Sequence, residues 1–160
     1  MKKHTAVVIL ILMLMGCQTI KHWFSPIELH QITVKVIAEK NINPNLQGKP
    51  CPLVLQLYQM SDSDAFSTSD YINIYNDQQG TLKKDLLSER VIGIVYPGKT
   101  IEKTFDLKDG VSYVGVIADF SDSSDANAKV LFKPKSEGKS LLVLDVDGVN
   151  LSSRRSDNND

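Results

Sequence analysis

Histidine, cysteine and tryptophan are scarce in these 160 residues, which hold three, two and one of them respectively. His4, His22 and His30 fall in no His-x-x-x-His pair, and Cys17 and Cys51 form no Cys-x-x-Cys pair. A zinc site needs three or four converging ligands, so no metal ligand is assigned. There is no Gly-x-Ser-x-Gly elbow, and no cysteine has an evident histidine partner. No catalytic residue is assigned either, and the expectation is a protein that is not an enzyme. Charge is nearly balanced, with 18 basic and 19 acidic residues. That leaves no basic field to hold nucleic acid or anionic lipid. Long apolar runs are missing too. The run from Ala6 to Met15 is about ten residues, well short of the roughly 20 that span a bilayer as a helix.

What the N-terminus does have is an order. Lys2 and Lys3 precede the apolar run and Gly16 closes it, the layout of a secretory signal. Leu14-Met15-Gly16-Cys17 resembles the lipobox of bacterial lipoproteins. That resemblance implies that Cys17 is alkylated with a diacylglycerol, freed by cleavage after Gly16 and then N-acylated. This covalent lipid is the one non-protein group expected, with no other cofactor. Each buried methylene contributes about 0.8 kcal/mol and a single chain holds only marginally, so several chains make the anchor. In Gram-negative lipoproteins an Asp after the cysteine tends to retain the protein in the inner membrane. Gln18 at the sorting position therefore favours the outer membrane, facing the periplasm. Residues 1–16 read as signal peptide and residues 17–26 as lipidated N-terminus and tether. Loss of 16 residues leaves 144, enough for one domain with a real core, and a net charge of −3 once Lys2 and Lys3 are gone. With Cys17 lipidated, Cys51 has no partner within the chain, so stability must come from packing rather than a disulfide framework. Cys51 reads as a small residue at a strand entry.

From Ile27 the pattern takes period two. Ile32, Val34, Val36 and Ala38 alternate with Thr33, Lys35 and Ile37, which predicts a strand with one buried face. A stretch dense in turn residues follows at 41–52, and Leu53 to Met60 reads as the second strand. Segment 61–89 breaks the rhythm. Its apolar residues Phe66, Tyr71, Ile74 and Tyr75 fall at roughly helical spacing, and Thr81 is placed to cap a helix carrying Leu82 and Leu86. Strands resume over 90–96, 99–107, 111–120, 128–132, 141–146 and 149–151. Pro97-Gly98 suits a type II turn, and Asp109-Gly110 and Asp147-Gly148 mark further reversals. Residues 152–160 have almost no apolar content and are expected to be disordered. The whole predicts one antiparallel β-sandwich of eight strands over 27–151, with a short helical insertion after strand two. Val34, Val36, Leu55, Leu57, Val114 and Val116 should face the core. Asp145-x-Asp147-Gly148 begins like a calcium loop but lacks the third acid and the closing Glu, and reads as a hairpin turn.

In order along the chain, several stretches resemble the type VI secretion outer-membrane lipoprotein family (TssJ, SciN or VasD). They are Asn43-Pro44-Asn45 with Gly48-Lys49-Pro50-Cys51-Pro52, the strand Leu53 to Met60, and Phe66 followed by Asp70-Tyr71 and Ile74-Tyr75. Leu82 to Leu87, Tyr96-Pro97-Gly98 and Tyr113 to Phe120 complete the set. The chain departs from the family at 125–128, near where a Trp is common, and at Lys83, where Gly is usual. The resemblance implies a transthyretin-like sandwich and a subunit of the secretion membrane complex. It implies that the partner is the periplasmic domain of TssM, an IcmF-like inner-membrane protein, contacted through the loop joining strands one and two. In this sequence the contact residues are then Asn41, Ile42, Asn43, Pro44, Asn45, Leu46, Gln47 and Gly48. Prolines stiffen that loop, and Ile42 and Leu46 are its two apolar residues, expected as anchors unless they fold back on the sandwich. The other reading is a periplasmic carrier holding a small ligand between its sheets.

Overall fold

The computed structural model describes residues 30–122 and 125–154. Its strands are β1 (Gln31–Ala38), β2 (Leu53–Met60), β3 (Leu86–Val95), β4 (Thr100–Asp106), β5 (Tyr113–Asp119), β6 (Lys129–Phe132), β7 (Lys139–Asp147) and β8 (Asn150–Arg154). They form two four-stranded sheets, in the orders β4-β1-β7-β8 and β3-β2-β5-β6. Residues 1–29, with the expected signal peptide, Cys17, Gln18 and the whole tether, lie outside the described residues.

Alternation sets β1. Ile32, Val34, Val36 and Ala38 are buried, while the residues between them are partly exposed. Val34, Val36, Leu55, Leu57, Val114 and Val116 are all fully buried in one cluster between the sheets, as expected, together with Leu142, Leu144 and Val146. Fully burying a side chain of this size contributes about 1.5–3 kcal/mol. One pairing departs from the antiparallel expectation. β1 and β7 run parallel, with Val34 opposite Leu142 and Val36 opposite Leu144. Parallel neighbours need a long crossover, and here the crossover passes through the opposite sheet.

The second half of β2 is buried on both faces, because a helical insertion covers the outside of its sheet. The insertion holds α1 (Asp64–Thr68), α2 (Tyr71–Asn76), α3 (Gln78–Leu82) and a 3-10 turn (Lys83–Asp85). Phe66, Ile74 and Leu82 pack on Tyr58, Met60 and Ile117 as a second, smaller core. Gly115 makes room for this. A Cβ there would stand 2.5 Å from the Phe66 ring. Lys129 Nζ donates to the carbonyls of Phe66 (2.8 Å) and Ser69, closing the end of α1. Burial lowers the pKa of this ammonium, and nearby Asp70 offsets part of the shift.

Two boundaries differ from the expectation. The helix after Asn76 is capped by Asp77, whose Oδ1 accepts from Gly80 N at 2.8 Å, so Thr81 lies inside α3 and Leu86 already opens β3. The insertion therefore ends at residue 85, not 89. At the other end, β8 carries the order through Arg154. Polar composition predicted disorder over 152–160, of which 155–160 lie outside the described residues. Instead, β7 supplies a ladder, and Asp145 accepts two bonds from the Arg154 guanidinium, at 2.7 and 3.0 Å. The turn at Pro97-Gly98 forms as expected. Lys99 N donates to Tyr96 O at 3.0 Å, and Gly98 has φ +69°.

Candidate functional site

The loop between β1 and β2 emerges at the end of the sandwich where β1 finishes, beside Ser121 and the β7–β8 turn. Its base is anchored by Asn41 and Asn43. Asn41 Nδ2 donates to Asp147 Oδ1 at 2.7 Å. Asn43 is buried and has φ +46°, a left-handed conformation that asparagine tolerates better than most residues. Its amide N–H donates to Gly148 O (2.8 Å) and its Nδ2 to Pro52 O (2.8 Å), while its Oδ1 accepts from Ser121 N (2.7 Å). One side chain therefore joins both arms of the loop to the segment after β5.

Above that base the chain makes a small hairpin, with Pro44 bridged to Pro50. Asn45 organises the tip. Its Oδ1 accepts from Gln47 N and Lys49 N, each at 3.0 Å, and its backbone exchanges bonds with Gly48 and Lys49. Gly48, at φ +74°, supplies the left-handed residue that the reversal requires. At the tip Leu46 is 104% exposed, the most exposed of the large apolar side chains among the described residues.

The eight residues assigned to partner contact thus divide. Leu46, Gln47 and Gly48 are exposed at the tip, Pro44 and Asn45 are half-buried below them, and Asn41 is exposed at the base. Ile42 corrects the expectation of a presented anchor, since it is fully buried and belongs to the main core. Asn43 is likewise internal. Chain geometry explains the split. Ile42 lies four residues beyond buried Ala38 and faces inward, where Cys51 N donates to its carbonyl at 3.2 Å. The loop reading did not extend to Ser121, which the Asn43 bond ties to the site. The mutual reach of Asn43 and Ser121, 78 positions apart, left no mark in the local pattern.

The surroundings offer little chemistry. Cys51 is half-buried, its Sγ 3.5 Å from Lys49 O, and the His30 ring nitrogen lies 2.9 Å from Lys135 O. Among the described residues, no three His, Cys, Asp or Glu side chains are grouped to hold a metal. No helix among them is long and apolar enough to cross a membrane. Side chains fill the space between the sheets where a carrier would hold its ligand, and the three cavities described lie elsewhere, on loops and at the edge of the helical insertion.

The site is thus a packed β-sandwich whose β1–β2 hairpin carries one fully exposed apolar side chain, Leu46. Residues 30–149 match the family described as type VI secretion lipoprotein, VasD, EvfM, TssJ, and the chain belongs to that family. The fold is similar to that of the lipoprotein TssJ1 from Pseudomonas aeruginosa, at 23% identity and TM-score 0.69 over 79% of this chain and 97% of that one. It is similar to Serratia marcescens Lip, a membrane-bound component of the type VI secretion system, at 17% identity and TM-score 0.70 over 79% and 97%. A chain in a structure described as the TssM C-terminal domain from EAEC aligns at 20% identity and TM-score 0.65 over 78% and 97%. No curated protein matches the sequence.

Proposed function

We propose that this chain is the outer-membrane-anchored lipoprotein of a type VI secretion membrane complex, tethering the TssM-type inner-membrane subunit through the tip of the β1–β2 loop. It has no catalytic role in this reading. Lipid on Cys17 supplies the anchor, Gln18 permits export to the outer membrane, and the sandwich carries the contact surface into the periplasm. Family membership supports the setting. The observation that carries the tether itself is Leu46, fully exposed on a hairpin braced at its base by Asn43 and at its tip by Asn45. A segment already ordered loses less entropy on docking, and an apolar side chain at its apex is the kind of anchor that dominates interface energies.

The test is photocrosslinking in intact cells from position 46, with the adduct identified by mass spectrometry. A TssM-type periplasmic domain is the expected adduct, and a crosslink to an unrelated protein would overturn the reading. The anchor is tested separately with Cys17→Ser. The variant should lose its acyl chains and leave the outer-membrane fraction. Wild-type sedimentation of that variant, still acylated, would contradict it.

A further inference from the structure

Strand β3 ends its sheet, with β2 on one side and no strand paired on the other among the described residues. Three of its carbonyls are each capped by a cation. Leu87 O accepts from Lys108 Nζ at 3.1 Å, Glu89 O from Arg90 Nη1 at 2.8 Å and Val91 O from Lys103 Nζ at 3.1 Å. In an antiparallel pair alternate residues turn their N–H and C=O toward the partner. Leu87, Glu89 and Val91 are the set between those, and they turn theirs to the open side. We infer that these cations hold the edge of β3 closed against strand pairing with a second copy of this chain. The inference is independent of the tether reading.

The sequence shows why this edge needs closing. Val91-Ile92-Gly93-Ile94-Val95-Tyr96 contains no charge and no proline and is mostly β-branched, the composition that pairs strands between chains. On the outer face Val91 is 54% and Ile94 51% exposed. Left open, such an edge is a template for another strand. A second β3 is its natural match, because two copies meeting antiparallel about a two-fold axis present the same apolar side chains to each other.

The guards come from both sides of the strand. Arg90 stands immediately before the apolar run, Lys103 reaches across from β4 in the other sheet, and Lys108 follows just beyond the end of β4. A strand arriving here must displace three charge-assisted bonds, which are stronger than the neutral bonds that would replace them. It must also bring its own cations against those already in place, and like charges facing each other across strands are unfavourable.

The test is sedimentation velocity of the mature lipidated chain in density-matched detergent, wild type against a variant carrying Arg90→Thr, Lys103→Thr and Lys108→Thr, with amide hydrogen exchange measured on both. The three substitutions take the mature net charge from −3 to −6, so general repulsion works against association. The wild type should sediment as one chain. The variant should self-associate about tenfold or more tightly, and exchange at the amides of Glu89 and Val91 should slow as it does so. If the triple variant melts early, Lys103→Thr with Lys108→Thr carries the same test with a smaller gain. A variant that stays monomeric at the wild-type melting temperature would overturn the inference. So would association that leaves the Glu89 and Val91 amides exchanging at the wild-type rate, or a wild type already paired through β3.

Discussion

Two stretches interrupt the strands of this protein, and they spend their apolar residues in opposite ways. The helical insertion turns Phe66, Ile74 and Leu82 inward onto Tyr58, Met60 and Ile117, so its apolar content goes into holding it against its sheet. The β1–β2 loop sends one apolar residue, Ile42, into the main core and leaves the other, Leu46, wholly in solvent. The insertion is held mainly by packing. The loop is held by hydrogen bonds from Asn41, Asn43 and Asn45. Polar bonding fixes the shape of a loop without using up its apolar side chain, which leaves Leu46 available to a partner.

That contrast can be broken at several points. The largest effect is expected at Phe66→Ala. Removing the ring from the second core should cost ~3–5 kcal/mol in denaturant unfolding, while the folded fraction keeps its affinity for the partner. Coupled loss of binding would show that the two stretches are not independent. Within the loop the comparison sharpens to residues four positions apart. Ile42→Ala should cost ~2–5 kcal/mol as a core truncation, whereas Leu46→Ala should stay within about 0.5 kcal/mol of wild type. Equal melting shifts would mean that Leu46 is packed rather than presented.

A smaller gain is expected at the junction of the insertion with β3. Lys83 has φ +52° and ψ −129°, a conformation that glycine adopts without the strain a side chain brings. Lys83→Gly should therefore stabilise the fold by about 1 kcal/mol, measured as a shift of the denaturant midpoint at constant slope. The smallest effect concerns Tyr58, fully buried with its hydroxyl donating to Gln56 Oε1 at 2.6 Å. Burial raises its pKa, reinforced by the charge of Glu89, so the unfolded chain ionises first. Its contribution is complete below pH 10 and is lost as pH rises, by about 0.4 kcal/mol at pH 10 itself. Tyr58→Phe should show a shallower alkaline decline in stability.

Much of this was legible in the sequence, and the losses share a cause. β1 alternates cleanly because only one of its faces is packed. β2 alternates through Leu57 and then becomes ambiguous, since Tyr58 and Met60 are buried by helices that arrive later in the chain, while Gln59 on the other face bonds Asp106 O and Lys108 N. The departure from the family at residue 83 was visible as a residue type, yet its meaning is a backbone angle that no local pattern displays. Ile42 and Leu46 look alike in sequence. They are separated by a left-handed Asn43 whose amide reaches Ser121, and long-range bonds of that kind decide which side chain faces in. Composition failed at the C-terminus for the same reason, as the ladder that orders residues 152–154 comes from β7.

Calorimetric titration of the TssM C-terminal domain into the mature, detergent-solubilised chain, wild type against Leu46→Asp, tests the central claim most directly. A charge placed at the apex of the hairpin should weaken Kd by about thirtyfold or more, while the melting temperature stays that of the wild type. Equal affinities from two equally stable proteins would contradict the claim and move the contact surface away from this loop.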